Sequence, residues 1–235
     1  MNRDALKQAA ARYGVVLSDE MTRQFALYAD YLREYNQKVN LTAITDPEEI
    51  SVKHFEDSLA ILKYIEIPEG ASVADVGTGA GFPGVPLLIA RNDLQLTLIE
   101  ATGKKLVFIR SLLEKLGLSA TLVHMRGEEA GRDPRFRESF DLVTARAVAE
   151  LNRLAEYCLP LTKIHGVFVA MKAQTAEYEL ANAVSAIKLL GGSGTSVREY
   201  PLSNGDTRTL LSIKKISQTS PEYPRNSGVI SKKPL

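Results

Sequence analysis

Asp75-Val76-Gly77-Thr78-Gly79-Ala80-Gly81-Phe82-Pro83-Gly84 begins at the end of a short apolar run (SVADV, 72–76) and leads into a helical pattern near 84–91. A strand that passes through glycines into a helix is the opening unit of an open α/β sheet. The glycines let the chain turn tightly and let a ligand approach main-chain atoms. Four further apolar runs follow, LTLIE (96–100), ATLVH (120–124), FDLVTA (140–145) and GVFVAM (166–171), with helical patterns near 103–117, 127–132, 148–159 and 175–190. This alternation predicts a mostly parallel sheet with helices on both faces. Two last strands near 194–200 and 207–214, joined by the turn Asn204-Gly205-Asp206, predict an antiparallel edge and seven strands in all.

Upstream of the glycine loop the pattern is helical. Residues 2–13 read as a short helix ending at Gly14, and Ser18 as the N-cap of the next, with Asp19 and Glu20 where carboxylates suit the helix dipole. Met21, Phe25, Tyr28, Leu32, Tyr35 and Val39 recur at steps of four and three, one apolar face of a long helix that packs a cap on the sheet. Asn36 and Asn40, one turn apart, are placed to bond the loop before the glycine strand. Asp46-Pro47 breaks the pattern, a helix is expected over 54–64, and Ile67-Pro68-Glu69-Gly70 marks a boundary. The expected organisation is a helical cap (1–66), an α/β domain (67–216) and a tail (217–235) that docks or orders on a partner.

The 235 residues are 45% hydrophobic and 24% charged, ordinary for a soluble globular chain. A single cysteine, Cys158, excludes an intrachain disulfide and a Cys-rich zinc site, and its apolar helical setting reads as core. His54, His124 and His165 show no ligand spacing, so no metal is expected. There is no apolar signal core and no membrane-length apolar stretch, so a cytoplasmic protein without a membrane partner is expected. The net charge of +1 is unevenly spread: residues 1–70 hold 8 Lys/Arg against 12 Asp/Glu, and residues 214–235 hold 5 against 1. A basic tail on a near-neutral body can guide a polyanion.

Two ligands compete for the glycine loop. From Gly79 the letters fit G-x-G-x-x-G, a dinucleotide fingerprint, but there the first glycine should directly follow the strand. The strand instead ends in Asp75, giving D-x-G-x-G-x-G, the register of S-adenosylmethionine (AdoMet) methyltransferases. That ligand carries an ammonium and a sulfonium in place of a pyrophosphate, so an acidic residue near the loop favours it. Glu100, 23 residues after Gly77 at the end of the second strand, can accept two ribose hydroxyls and supports either nucleoside. Arg126-Gly127-Glu128 follows the third strand, where this fold contacts adenine.

Across nearly its whole length the sequence resembles the ribosomal RNA small subunit methyltransferase G family, also called glucose-inhibited division protein B. The resemblance rests on Tyr35-Asn36, Asn40-Leu41-Thr42-Ala43-Ile44, His54-Phe55, Asp57-Ser58-Leu59 and DVGTGAGFPGVPL (75–87). It continues through Glu100, Lys104-Lys105, Phe108, Arg126-Gly127-Glu128, Thr144-Ala145-Arg146-Ala147, Lys172, Tyr223-Pro224-Arg225 and the terminal Lys-Lys-Pro-Leu (232–235). It implies a Rossmann-like class I AdoMet-dependent methyltransferase that methylates N7 of one guanine in bacterial 16S rRNA, in a small-subunit loop near the decoding site. It also implies a cofactor pocket formed by Gly77, Gly79, Phe82, Glu100, Ala101, Thr102, Gly127, Glu128 and Arg146.

The residues suit that chemistry. Guanine N7 has an available lone pair, so attack needs no prior deprotonation, and rate comes from alignment. This accounts for the lack of an acid–base pair or triad. The Asn/Asp-Pro-Pro-Tyr motif of amino-methyltransferases is absent after the fourth strand, and Arg146 stands in its place. Arg146 and Lys172 are the expected catalytic residues. Arg146 orients the base, its structural alternative being a salt bridge to Glu128 or Asp141, and Lys172 meets RNA backbone. Lys104 and Lys105 at a helix start, with Arg225, Lys232 and Lys233 in the tail, are expected at RNA phosphates. His54 reads as a packed or capped residue, with catalysis as the alternative. Nothing demands more than a monomer or an obligate protein partner. The competing readings are an NAD(P) oxidoreductase and a noncatalytic RNA-binding factor on the same fold.

Overall fold

A computed structural model describes residues 1–172 and 176–235. Asn2 and Ser18 cap the first two helices, α1 (Arg3–Ala11) and α2 (Asp19–Asn36), by accepting main-chain N–H bonds. The apolar face of α2 is buried at Phe25, Tyr28 and Leu32, in one cluster with Phe55, Phe82 and Phe108. Asp46 caps a third helical run, with Pro47 in its first turn. This run is continuous but changes winding: α3 (Pro47–Ile50), a π-helical turn (Ser51–Glu56), α4 (Asp57–Leu59) and α5 (Ile61–Tyr64). The helix expected over 54–64 therefore begins seven residues earlier, and the supposed break is its start. Asn36 does not reach the loop before the glycine strand: its side chain accepts from Leu41 and Thr42 N–H and donates to Thr42 O, folding the chain that leaves α2 back on itself.

The strands are β1 (Ser72–Val76), β2 (Gln95–Ile99), β3 (Thr121–Val123), β4 (Phe140–Arg146), β5 (Thr162–Lys172), β6 (Gly192–Pro201) and β7 (Thr207–Lys215). They form one sheet in the order β3-β2-β1-β4-β5-β7-β6. The first five are parallel, and β7 runs antiparallel to both β5 and β6, the predicted edge. The helices between them are α6 (Gly84–Ala90), α7 (Gly103–Leu116), α8 (Gly127–Arg132), α9 (Leu151–Cys158) and α10 (Ala176–Leu189). The first residue of the expected 175–190 helix lies outside the described residues. Alternate strand residues serve two cores: Leu142, Val169 and Met171 face the cap and α6–α7, while Val143, Phe168 and Ala170 face α9 and α10. Cys158 is buried in the second core.

The chain beyond β7 folds back on the body. Arg137 donates to the carbonyls of Thr219 and Tyr223, Arg132 to that of Pro224, and the chain ends in α11 (Ser227–Lys232), capped by Asn226. Six residues are too few to show a helical period, so α11 was not legible in the sequence. Among the described residues, no helix is long and apolar enough to cross a membrane and no His/Cys/Asp/Glu cluster could hold a metal.

Candidate active site

The chain leaves β1 toward β2 on one side and returns at β4 on the other. The crevice outside the carboxyl ends of β1 and β4 is thus the switch point where open α/β sheets bind ligands. Two cavities lie there. The first, about 480 Å³, is walled by Gly77, Glu100, Ala101, Gly127, Glu128 and Val148. The second, about 460 Å³, is walled by Lys53, His54, Asp57, Arg146, Lys172, Glu179 and Arg208. Both border Ala147, whose φ of 56° is a left-handed conformation rare outside glycine.

Close approach explains two glycines of the first cavity. Gly77 has φ +67°, and a Cβ there would stand 2.6 Å from a Val148 methyl. A Cβ on Gly127 would stand 2.9 Å from Val76 and 3.2 Å from Tyr157. Asp75, the acid that ends β1, does not reach the cavity. It is fully buried, accepting from Thr78 Oγ1 (2.6 Å), Gly84 N (3.0 Å) and Thr144 Oγ1 (3.2 Å), and so pins the glycine loop from inside. Burial raises its pKa to about 6, against the pull of those hydrogen bonds.

The carboxylates that do face the first cavity are Glu100 and Glu128. Glu100 Oε2 accepts from Gly79 N (3.0 Å) and Oε1 from Thr102 N (2.8 Å), which leaves each oxygen a further lone pair. Lys105 stands 4.0 Å away. Glu128 Oε1 and Arg153 Nε are buried in the cavity wall with no hydrogen-bond partner. Tyr157 lies beside them: burial raises its hydroxyl pKa, Glu128 raises it further and Arg153 opposes. A buried acceptor and a buried donor, both unmatched, fit a ligand that offers both, as the adenine of AdoMet does through its amino group and ring nitrogens.

In the second cavity, Arg146 lies under the cap. Its NH1 donates to Lys53 O (3.1 Å) and Asp57 Oδ2 (3.1 Å), its NH2 to His54 Nδ1 (2.9 Å), and its guanidinium carbon is 4.9 Å from the Phe82 ring centre. The salt bridge weighed for Arg146 thus falls to Asp57, not to Glu128 or Asp141; Asp141 holds Ser72 and Lys163 instead. Lys172 Nζ meets Glu179 Oε2 (2.6 Å) and Ala149 O (2.6 Å), tying the end of β5 to the loop after Arg146.

The structure brings Gly77, Glu100, Ala101, Gly127 and Glu128 to one cavity. Gly79 and Thr102 act there through their N–H bonds to Glu100, and Phe82 lies stacked between Tyr28 and His54. Arg146 and Lys172 share the second cavity. Lys104 is exposed and Lys105 borders the first cavity, while Lys232 and Lys233 are exposed on and just after α11. Arg225 is committed elsewhere: its N, Nε and NH2 all bond the fully buried Glu156 at 2.6–2.8 Å, fastening the tail. Sequence reasoning missed Arg153 and Tyr157, one turn apart on α9, and Ser227 and Ser231, one turn apart on α11, all in the first cavity's wall. The i, i+4 spacing on a predicted helix was the available signal for the α9 pair.

The model of the family described as rRNA small subunit methyltransferase G matches residues 21–208. The chain belongs to this family. A ribosomal RNA small subunit methyltransferase G from Pelotomaculum thermopropionicum is 46% identical over 99% of this chain and 98% of its own length. One of the same description from Lactobacillus johnsonii is 46% identical with both chains fully covered. Among solved structures, a precorrin-6y C5,15-methyltransferase from Geobacter metallireducens superposes with a TM-score of 0.52 at 16% identity, over 67% of this chain and 87% of that one. A SAM-dependent O-methyltransferase from Thermotoga maritima gives 0.54 at 16% identity, over 80% and 72%. These last two share the fold alone. The family membership decides against an oxidoreductase reading of the glycine loop.

Proposed function

We propose that the chain transfers a methyl group from AdoMet to N7 of one guanine of 16S rRNA, in the small-subunit loop near the decoding site, as a cytoplasmic monomer. The observation that carries this reading is the meeting of two cavities at Ala147, one walled by nucleoside-type acceptors and the other by Arg146 and Lys172. Glu100 would take the ribose hydroxyls, Glu128 with Arg153 the adenine, and the Gly77 backbone the chain between them. Bound AdoMet supplies an electrophilic methyl on a sulfonium centre.

The chain's own task is then positional. N7 of neutral guanine needs no base to free its lone pair, in keeping with a second cavity whose two carboxylates, Asp57 and Glu179, are already paired with Arg146 and Lys172. Arg146 keeps a fixed guanidinium plane over Phe82, a surface on which a purine can stack or bond through O6. Lys172 holds the 147–150 loop and adds a cation beside the base. Lys104, Lys105, Lys232 and Lys233 fit RNA phosphates flanking the cavities, while Arg225 serves by anchoring the tail. The test is incubation of the purified chain with methyl-labelled AdoMet and ribosomal subunits from a strain lacking the gene. Label confined to the small subunit's RNA supports the reading; label in large subunits, or in none, refutes it.

A further inference from the structure

We propose that His54 is a positioning residue for Arg146, acting as a neutral hydrogen-bond acceptor on a π-helical turn that receives the guanidinium; this rests on the reading that Arg146 faces the substrate base. In an α-helix the Asp57 N–H would bond Lys53 O, four residues back. Here it reaches Val52 O, five back, and His54 O. The widened turn releases the Lys53 carbonyl, and Arg146 NH1 occupies it at 3.1 Å. Residues 53, 54 and 57 thereby present three acceptors to one guanidinium: a carbonyl, a ring nitrogen and a carboxylate.

The donor inventory fixes the state of the ring. A guanidinium nitrogen only donates, so His54 Nδ1, 2.9 Å from Arg146 NH2, must be the unprotonated nitrogen. The ring proton then sits on Nε2 and is given to Thr42 Oγ1 at 2.9 Å, which also accepts from Ile44 N. An imidazolium would set N–H against N–H and charge against charge. Burial, with the Arg146 charge adding to it, pushes the His54 pKa down to about 3, consistent with a neutral ring. The ring is further registered by stacking on Phe82 (4.3 Å, 20°), whose second stacked ring, Tyr28, donates to Ala80 O in the glycine loop. Tyr200 holds the second oxygen of Asp57 at 2.7 Å. From the wall of the second cavity, His54 thus links the cofactor loop to the plane of Arg146.

The experiment uses the full chain in two arms. In the first, 15N-histidine labelling reads the ring state directly between pH 6 and 8. A single Nε2–H tautomer for His54, constant over that range, supports the proposal; an Nδ1–H tautomer or an imidazolium overturns it. In the second, H54N sets an amide oxygen near the Nδ1 position and H54Q sets its amide near Nε2. The proposal expects H54N to keep kcat within about threefold of the parent. It expects H54Q to lose at least about tenfold in kcat with the KM for AdoMet changed less than about threefold. Equal losses in both variants, as packing alone would give, or an unimpaired H54Q, overturn it. The first arm needs neither a variant nor turnover. A parent chain that transfers no methyl to RNA would therefore sink the proposed function, while the spectrum would still decide whether His54 is the neutral acceptor of the Arg146 guanidinium.

Discussion

Glu100→Gln separates the ribose-binding role of Glu100 from mere loop structure. Both oxygens of the carboxylate already accept a main-chain N–H, Gly79 N at 3.0 Å and Thr102 N at 2.8 Å. A glutamine has one acceptor oxygen, so its NH2 group must oppose one of those donors or turn one of them loose. Hydrogen bonds to a charged acceptor are worth about 1.5–3 kcal/mol, and the glutamine also weakens whatever the ribose hydroxyls donate. A loss of about 1.4–2.8 kcal/mol on the ligand side raises the AdoMet Kd by about 10- to 100-fold. Loss of about 1 kcal/mol of folding stability lowers Tm by roughly 2–4 °C in a chain of this size. Calorimetric titration with AdoMet, paired with a thermal melt, reads both. A folded variant whose Kd stays within about twofold of the parent would refute the placement of ribose at Glu100.

Arg146→Lys keeps a cation beside Asp57 but loses the planar fork, so kcat falls by about 100-fold in a methyl-transfer assay while AdoMet affinity holds, because Arg146 lies in the other cavity. Arg225→Ala leaves the buried Glu156 carboxylate without its cationic partner and costs about 3–5 kcal/mol. Limited proteolysis then cuts the tail, and AdoMet affinity drops because Ser227 and Ser231 leave the cavity wall. Stability carries two opposed pH dependences. His54, held at about 3 by burial and the Arg146 charge, keeps the proton off in the folded chain. The unfolded chain therefore binds the extra proton below about pH 6.5, and stability is lost from there down to pH 3. Asp75, raised to about 6 by burial, takes its proton first in the folded chain and gains stability as pH falls from 6 toward 3.8. Denaturant melts of H54N should accordingly lose about 2 kcal/mol less than the parent between pH 7 and 5; identical losses would contradict the buried neutral ring.

What could be read in advance follows from the range of the interactions. The Gly77 loop was legible because its requirement is a backbone one, and Ser18 because a cap acts within three residues. Strand number and direction followed from alternation and the Asn204-Gly205-Asp206 turn, while strand order, set by crossovers between distant segments, came only from the structure. Glu100 and Gly127 were placed because each follows a strand of a parallel sheet. The partner of Arg146 was not legible: Asp57 lies 89 residues earlier, on a winding change that no propensity marks. Asp75 misled for a related reason, since sequence position put an acid at the loop but not which way its carboxylate faced. Arg225 showed its charge in the sequence and hid Glu156, the buried group that uses it.

The most direct test uses the chemistry of the proposed product. N7-methylguanine makes an RNA chain scissile to borohydride followed by aniline. Small-subunit RNA from cells lacking the gene, treated with the chain and AdoMet, should gain one new cut at a single guanine, and the same treatment with Arg146→Lys should leave that cut faint or absent. Methyl label entering this RNA with no new cut, or at a base other than guanine, would contradict the account.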